Sequence, residues 1–278
     1  SARERDFSAG GNEPWGEFLK GAPAVHTRTF ILSLLAAAGL AMAQPAEGNR
    51  VNRGNLVISE PGMYFLDRNI TATPATPAID IMASNVTLNM NGFTITGPGG
   101  KNGTGIRVRG AQSVTVMNGT IQNFAFNVMV ATSANVTIKG LSIRGEGLPI
   151  LSAPPETAIM IAQSRGVVVE GNNIYNVGLG IFVRGGMSWG NRIAHNTVTA
   201  GMNPALGICY NPADGDPQGP RGDVVVGNHI AGFPTGISMS ATSVNNVIKE
   251  NTIAFRNAAI ENMSDTNKLV GNIDVKLP

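Results

Sequence analysis

The sequence has one cysteine, Cys209, which excludes an internal disulfide framework. Aromatic residues make up 5% of its 278 positions and charged residues 14%, which fits neither a helical bundle nor a disordered, charge-rich chain. Formal net charge is only +2, with acids and bases interspersed, so no basic face argues for nucleic acid. The one long apolar run, residues 30–40, is too short to span a bilayer. What the chain does have is glycine, 35 residues of it, and a repeat built around short β-branched runs.

The clearest copy of that repeat is VVVEGNNI at 167–174, a short run broken by Gly171-Asn172 and resumed by Ile174. Related copies close at Ile95, Ile121, Ile143, Val198, Ile230, Ile253 and Ile273, a period in the low twenties with two long steps. A second short strand precedes each, clearest as Gly-Ile-x-Val in GIRV and GIFV. Self-similarity at this period implies one supersecondary unit per repeat, stacked because no unit can bury its apolar face alone. Alternation puts Ile79 and Ile81, Ile106 and Val108, Val128 and Val130, Ile159 and Ile161, Ile181 and Val183 on one face. With no room for helices between strands, successive repeats pair in parallel. The fold class is therefore all-β, a parallel solenoid of eight or nine rungs. Asn172, Asn196, Asn228 and Asn251 each lie two residues before a closing position. They predict an asparagine ladder, since Asn tolerates the turn and its amide both donates and accepts.

Around this body the chain divides further. Residues 1–27 have no apolar period and read as an upstream or non-native extension. Residues 28–43 combine a positive flank, an apolar core and Ala41-Met42-Ala43, the pattern of a secretory signal peptide. Cleavage there leaves a secreted or periplasmic protein with no membrane span. Residues 44–55 read as a polar linker, and 56–278 as a single solenoid domain whose first unit, LVISEPGMYFLDRNI, is a terminal repeat.

Pro61-Gly62-Met63-Tyr64-Phe65-Leu66 and the repeated GI-x-V and GN-x-I units make residues 55–275 resemble the right-handed parallel β-helix proteins of the pectate-lyase-like superfamily. The resemblance implies the fold. It does not imply one activity, because this architecture carries lyases, hydrolases, epimerases, adhesins and non-catalytic binders. The polygalacturonase marks Asn-Thr-Asp, Gly-His-Gly and Arg-Ile-Lys do not occur, nor does the pectate-lyase Arg-x-Pro-x-x-Arg. His195 and His229 fall inside repeat units, where a structural role is expected. The catalytic residues are therefore unassigned.

Function is sought where the spacing stretches. Extra residues fall at 145–157, before the strand at Ile159, and at 211–222, after the strand at Ile208. Loops at opposite ends of one sheet would wall a groove across it. The outward column of that sheet reads Asp80, Arg107, Met129, Met160, Phe182, Cys209, Ser238 and Glu261. Its apolar centre is either a ligand floor, a protein-docking stripe, or the seat of a covering loop that includes Leu148 to Leu151. Candidate ligand contacts are Arg107, Arg109, Phe182, Arg184, Trp189, Tyr210, Asp214, Asp216 and Arg221. Aromatic faces and Arg forks suit sugars, and acidic sugars above all. Asp214 and Asp216 together are a candidate calcium pair; no other cofactor or metal is expected. The expected function is binding, with processing left open, of an extracellular polysaccharide or cell-envelope glycan. A non-catalytic envelope protein docking through the apolar stripe is the alternative, and the oligomeric state is open.

Overall fold

The structure, a computed structural model, describes residues 48–73, 77–100, 102–146, 156–202, 204–213 and 216–278. The extension, the leader at 28–43, the apolar segment at 148–151 and Asp214 lie outside the described residues. From Gly48 to Pro278 the chain is one unit, coiled as three parallel sheets that share every rung. No helix among the described residues is long and apolar enough to cross a membrane.

The front sheet stacks nine strands. They include Leu56–Ile58, Ile79–Ile81, Thr104–Arg109, Phe126–Ala131, Thr157–Ala162, Leu179–Arg184 and Leu206–Asn211, followed by 235–239 and 258–262. The flank sheet carries the β-branched runs such as Val168–Glu170, Arg192–Ala194 and Val224–Val226. The back sheet carries the closing positions, with Ile143, Ile174, Val198, Ile230 and Ile253 in register. The repeat periodicity thus reads correctly: the run at 167–174 splits into Val168–Glu170 on the flank sheet and Asn173–Val177 on the back sheet, while Gln112–Gln122 and Ala134–Arg144 pass through the corner as single strands.

The core is a set of columns. Ile79, Ile106, Val128, Ile159, Ile181, Ile208 and Ile237 are in register and fully buried. Each such side chain contributes roughly 1.5–3 kcal/mol of burial. The residue before each anchor also faces inward, where there is little space: a Cβ on Gly207 would stand 2.5 Å from the Gly236 carbonyl oxygen and 2.5 Å from Ile230 Cγ2. That close approach is why the unit is Gly-Ile. Asn127 occupies the same inward position, wholly buried, and neither end of its amide finds a partner. Asn49–Val51 already pairs with Gly62–Leu66, and Val51 and Leu66 are buried together. The coil therefore begins within the stretch expected to be a linker, because Val51 completes the first inward layer.

At the corner between flank and back sheets the expected ladder forms. Asn172 Nδ2 donates to Asn196 Oδ1 at 2.9 Å, Asn196 to Asn228 at 3.0 Å, Asn228 to Asn251 at 2.9 Å and Asn251 to Asn272 at 3.0 Å. Backbone N–H groups of the same residues donate to the same oxygens. The neighbouring turn column holds Gly140, Gly171, His195, Gly227, Glu250 and Gly271 at positive φ, so His195 is an exposed turn residue.

Candidate functional site

The outward column of the front sheet has the register expected of it, from Asp80 against Arg107 through to Ser238 against Glu261. Its two ends are self-contained. At one end Asp80 is buried and accepts from Arg107 Nε at 3.0 Å and Nη2 at 2.7 Å, and from Arg109 Nε at 3.2 Å. Burial alone would raise the Asp80 pKa, but hydrogen bonds from Arg107 and then Arg109, together with their charges, hold it below its ordinary value. The hydrogen bond to Asp80 also raises Arg107. Both guanidinium groups expected to face a ligand are thus oriented by a carboxylate of the protein. At the other end Glu261 accepts from the Thr235 hydroxyl at 3.1 Å.

Between these ends the stripe is not an open surface. Met129, Met160 and Phe182 are half-buried, and Cys209 is only 2% exposed. Burial, with the charge of Glu261 adding, pushes the Cys209 thiol up to about 12, so it stays protonated and unreactive. Asp80 and Glu261 stand seven rungs apart, roughly 34 Å at a rung spacing of about 4.8 Å. Paired glycosidase carboxylates stand within about 10 Å of each other. These two cannot work as one. Tyr210, expected in the groove, instead points into the coil and is fully buried, because its position pairs with the inward positions Val183 and Met239.

The corner between front and flank sheets differs. After Leu179–Arg184 the chain turns through Gly185 and Gly186, and Ser188 Oγ donates to the Arg184 carbonyl at 2.7 Å. Trp189 then lies in register between Arg165 of the rung before and Arg221 of the rung after. Backbone bonds lock the three: Trp189 N–H donates to Ser164 O, and Gly190 N–H to Arg221 O. Glycine follows each residue of the triplet, Gly166, Gly190 and Gly222, all at φ between 60° and 65°, where other residues are strained. Trp189 is 47% exposed, and Arg165 and Arg221 are exposed. A cleft of about 280 Å³ is lined by Trp189, Gly190, Arg221, Gly222 and Asn245. Arg221 separates it from a second, of about 450 Å³, bordered by Pro217, Gln218 and Thr242.

The insertion at 211–222 serves this corner. Asp216 Oδ2 accepts from Gly186 N–H at 2.8 Å and from Gln163 Nε2 at 3.4 Å, while its Oδ1 accepts from Gln218 N–H at 2.9 Å. The Gly186 and Gln218 amides hold the Asp216 pKa below its ordinary value. Arg221 Nη1 returns to the Gly186 carbonyl at 2.7 Å and to Gln218 Oε1 at 3.0 Å. The insertion is therefore bolted to the turn that presents Trp189. The expected calcium partner of Asp216, Asp214, lies outside the described residues, and no cluster of three or more His, Cys, Asp or Glu suited to a metal exists among the described residues.

Beneath the corner runs a second ladder that the sequence reading did not anticipate. Asn191 Nδ2 donates to Asp223 Oδ2 at 3.1 Å, Asp223 N–H to Asn246 Oδ1 at 2.9 Å, and Asn246 Nδ2 to Asn267 Oδ1 at 3.1 Å. Ser133, Ser164 and Ser188 form a shorter hydroxyl ladder in the earlier rungs. Asp223 is wholly buried, and burial pushes its carboxyl up to about 6 against the opposing bonds from Asn191. The buried Tyr210 hydroxyl faces that carboxylate, and burial followed by the Asp223 charge raises the phenol.

Of the residues expected to meet ligand, the structure brings together Trp189, Asp216 and Arg221. Arg107 and Arg109 stand on distant rungs, Phe182 and Arg184 are half-buried on the front face, and Tyr210 is internal. Arg165 was missed. Its signal was present in SRG, SWG and PRG, which stand at one offset from the next flank strand.

The sequence profile of the right handed beta helix region matches residues 77–253, and the chain belongs to that family. No curated protein matches at a significant level. Among solved structures, the Dettilon tailspike protein aligns with a TM-score of 0.52 at 14% identity, over 82% of this chain and 53% of its own. The enzymatically active domain of tailspike protein 2 of bacteriophage CBA120 aligns with a TM-score of 0.52 at 11% identity, over 82% and 39%. A pectate lyase from Bacillus sp. N165, solved with trigalacturonate, gives a TM-score of 0.49 at 14% identity over 85% of each chain. The chain thus spans about half or less of the two tailspikes, and the likeness is one of fold.

Proposed function

We propose that this chain is an exported protein that binds an extracellular polysaccharide along the edge where the front sheet turns into the flank. The carrying observation is Trp189, a large aromatic left 47% exposed on a turn that the 211–222 insertion holds in place through Asp216 and Arg221. An indole fixed before the ligand arrives stacks on a sugar ring with little ordering cost. Export rests on the leader pattern at 28–43. Asp80 and Glu261 are too far apart to serve as a glycosidase pair, and processing of the bound chain is left open. Docking of a protein on the apolar stripe is disfavoured by the burial of Cys209 and the partial burial of its neighbours.

The test is retention of the protein on a panel of immobilised neutral and acidic polysaccharides, with ultraviolet absorbance followed for the unsaturated products of a lyase. Retention on at least one polymer is expected. Passage through every column unretained would sink the proposal.

A further inference from the structure

We propose that the column Arg165–Trp189–Arg221 is a subsite for an acidic polysaccharide, a polyuronate, whose chain runs along the coil axis and whose carboxylates meet the two guanidinium groups on either side of the indole. This rests on the polysaccharide reading above and names the ligand class and the residues.

Three observations carry it. The first is register: the three residues occupy one position in consecutive rungs, so their side chains leave the corner in the same direction and span about 10 Å along the axis. A linear polymer laid along the coil meets cation, ring and cation in turn.

The second is unspent charge. Arg165 is exposed, and its side chain makes no hydrogen bond or ion pair among the described residues. Arg221 uses only Nη1 within the protein, leaving Nε and Nη2 for a carboxylate fork. Asp216, held by the amides of Gly186 and Gln218, offsets part of the charge of Arg221, and Asp223 lies buried beneath the same rung; Arg165, two rungs away along the column, has neither beside it, and Glu170 sits further along the flank strand in register with Ala194. Arg192, three residues past Trp189 on the flank, adds a further positive charge.

The third is the contrast with the Asp80 end of the front sheet. There two arginines are bound by one buried carboxylate, whereas among the described residues no carboxylate hydrogen-bonds the guanidinium of Arg165 or Arg221. Two guanidinium groups that no carboxylate hydrogen-bonds, one anchored and one free, flanking an aromatic face, are suited to a planar anion on a sugar ring.

The experiment compares retention of the wild-type protein on polygalacturonate, alginate and fully methyl-esterified pectin, which keeps the sugar backbone and removes the charge. Tighter binding to the free acids is expected, by about tenfold or more, and it should weaken with added salt. Arg165→Ala should remove most of this preference, and Trp189→Ala should lose retention on all three polymers, both with unchanged thermal midpoints. Polyuronate should change the intrinsic fluorescence of the wild type, and Trp189→Phe should abolish the change.

Equal binding to acid and ester overturns the proposal. So does retention that survives both Arg165→Ala and Trp189→Ala, a result that leaves the polysaccharide reading intact. Absence of retention on any polysaccharide overturns both.

Discussion

The two corners that bound the flank sheet are built from the same kind of turn, yet they differ in chemistry. At the flank–back corner five consecutive rungs place Asn at the ladder position, from Asn172 to Asn272, and every amide bonds to the next. At the front–flank corner one buried column changes from Val167 to Asn191, Asp223, Asn246 and Asn267, a separate column holds Ser133, Ser164 and Ser188, and the outward column carries Arg165, Trp189 and Arg221. A scaffold corner repeats one solution. Where repetition lapses, each lapse needs its own physical cause, and the second corner has two: a buried carboxylate and an exposed indole.

The uniform corner should be the costlier to damage. Asn228 accepts from Asn196 N–H and Nδ2 and donates to Asn251 Oδ1 and the Ile193 carbonyl, all within 2.9–3.0 Å. Asn228→Ala strands these buried groups, each worth about 1–3 kcal/mol, so a loss of about 4 kcal/mol is expected in urea unfolding. Asn272→Ala, at the part-buried end of the same ladder, should cost clearly less. Equal losses would show that the ladder does not act rung by rung.

The irregular corner should be improvable. Asp223 interrupts an asparagine column, and its carboxyl is raised from 3.8 to about 6 by burial. Between about pH 4 and pH 6 the folded state holds a proton that the unfolded state has released, so stability falls as pH rises through that window. Above it the penalty is complete, about 3 kcal/mol for a shift of about two units. Asp223→Asn removes the penalty and restores an amide able to donate to Asn246 Oδ1. The variant should therefore be more stable than wild type at pH 7, by up to about 3 kcal/mol, and the gain should shrink toward zero near pH 4. A gain that grows on acidification would show that Asp223 is stabilised as its anion.

These contrasts also separate what was legible in the sequence from what was not. The coil, the inward columns and the first ladder follow from period-two alternation and from Asn172, Asn196, Asn228 and Asn251 at one offset, which local rules read directly. Tyr210 was misplaced because only the register shows that it continues the inward column of Val183. The pairing of Asp80 with Arg107 and Arg109 was open to inspection as opposite charges on adjacent rungs, but its bidentate closure depends on side-chain reach. The second ladder hid because its column runs Val167, Asn191, Asp223, Asn246 and Asn267, so that a valine precedes it and an aspartate interrupts its asparagines. Arg165 went unseen for a related reason: R-G, W-G and R-G look unrelated until the rungs are stacked.

The smallest expected effect on stability, and the sharpest on the corner, comes from Asp216. Its carboxylate is at the surface, so its removal should leave the unfolding midpoint unchanged. Both oxygens are nevertheless used, Oδ2 by Gly186 N–H and Oδ1 by Gln218 N–H, and the turn they brace presents Trp189. Asp216→Ala should therefore lower polyuronate retention several-fold at constant thermal midpoint. Asp216→Asn, which can accept through one oxygen but turns an NH2 toward the other amide, should fall between. Because the Gly186 and Gln218 bonds hold the Asp216 pKa below its ordinary value, the clamp is present at neutral pH and is lost only as pH falls through that depressed pKa. The part of retention that depends on Asp216 should accordingly persist at mildly acidic pH. Undiminished retention by Asp216→Ala would mean that the indole needs no brace. A lowered midpoint would mean that the insertion belongs to the scaffold and not to the site.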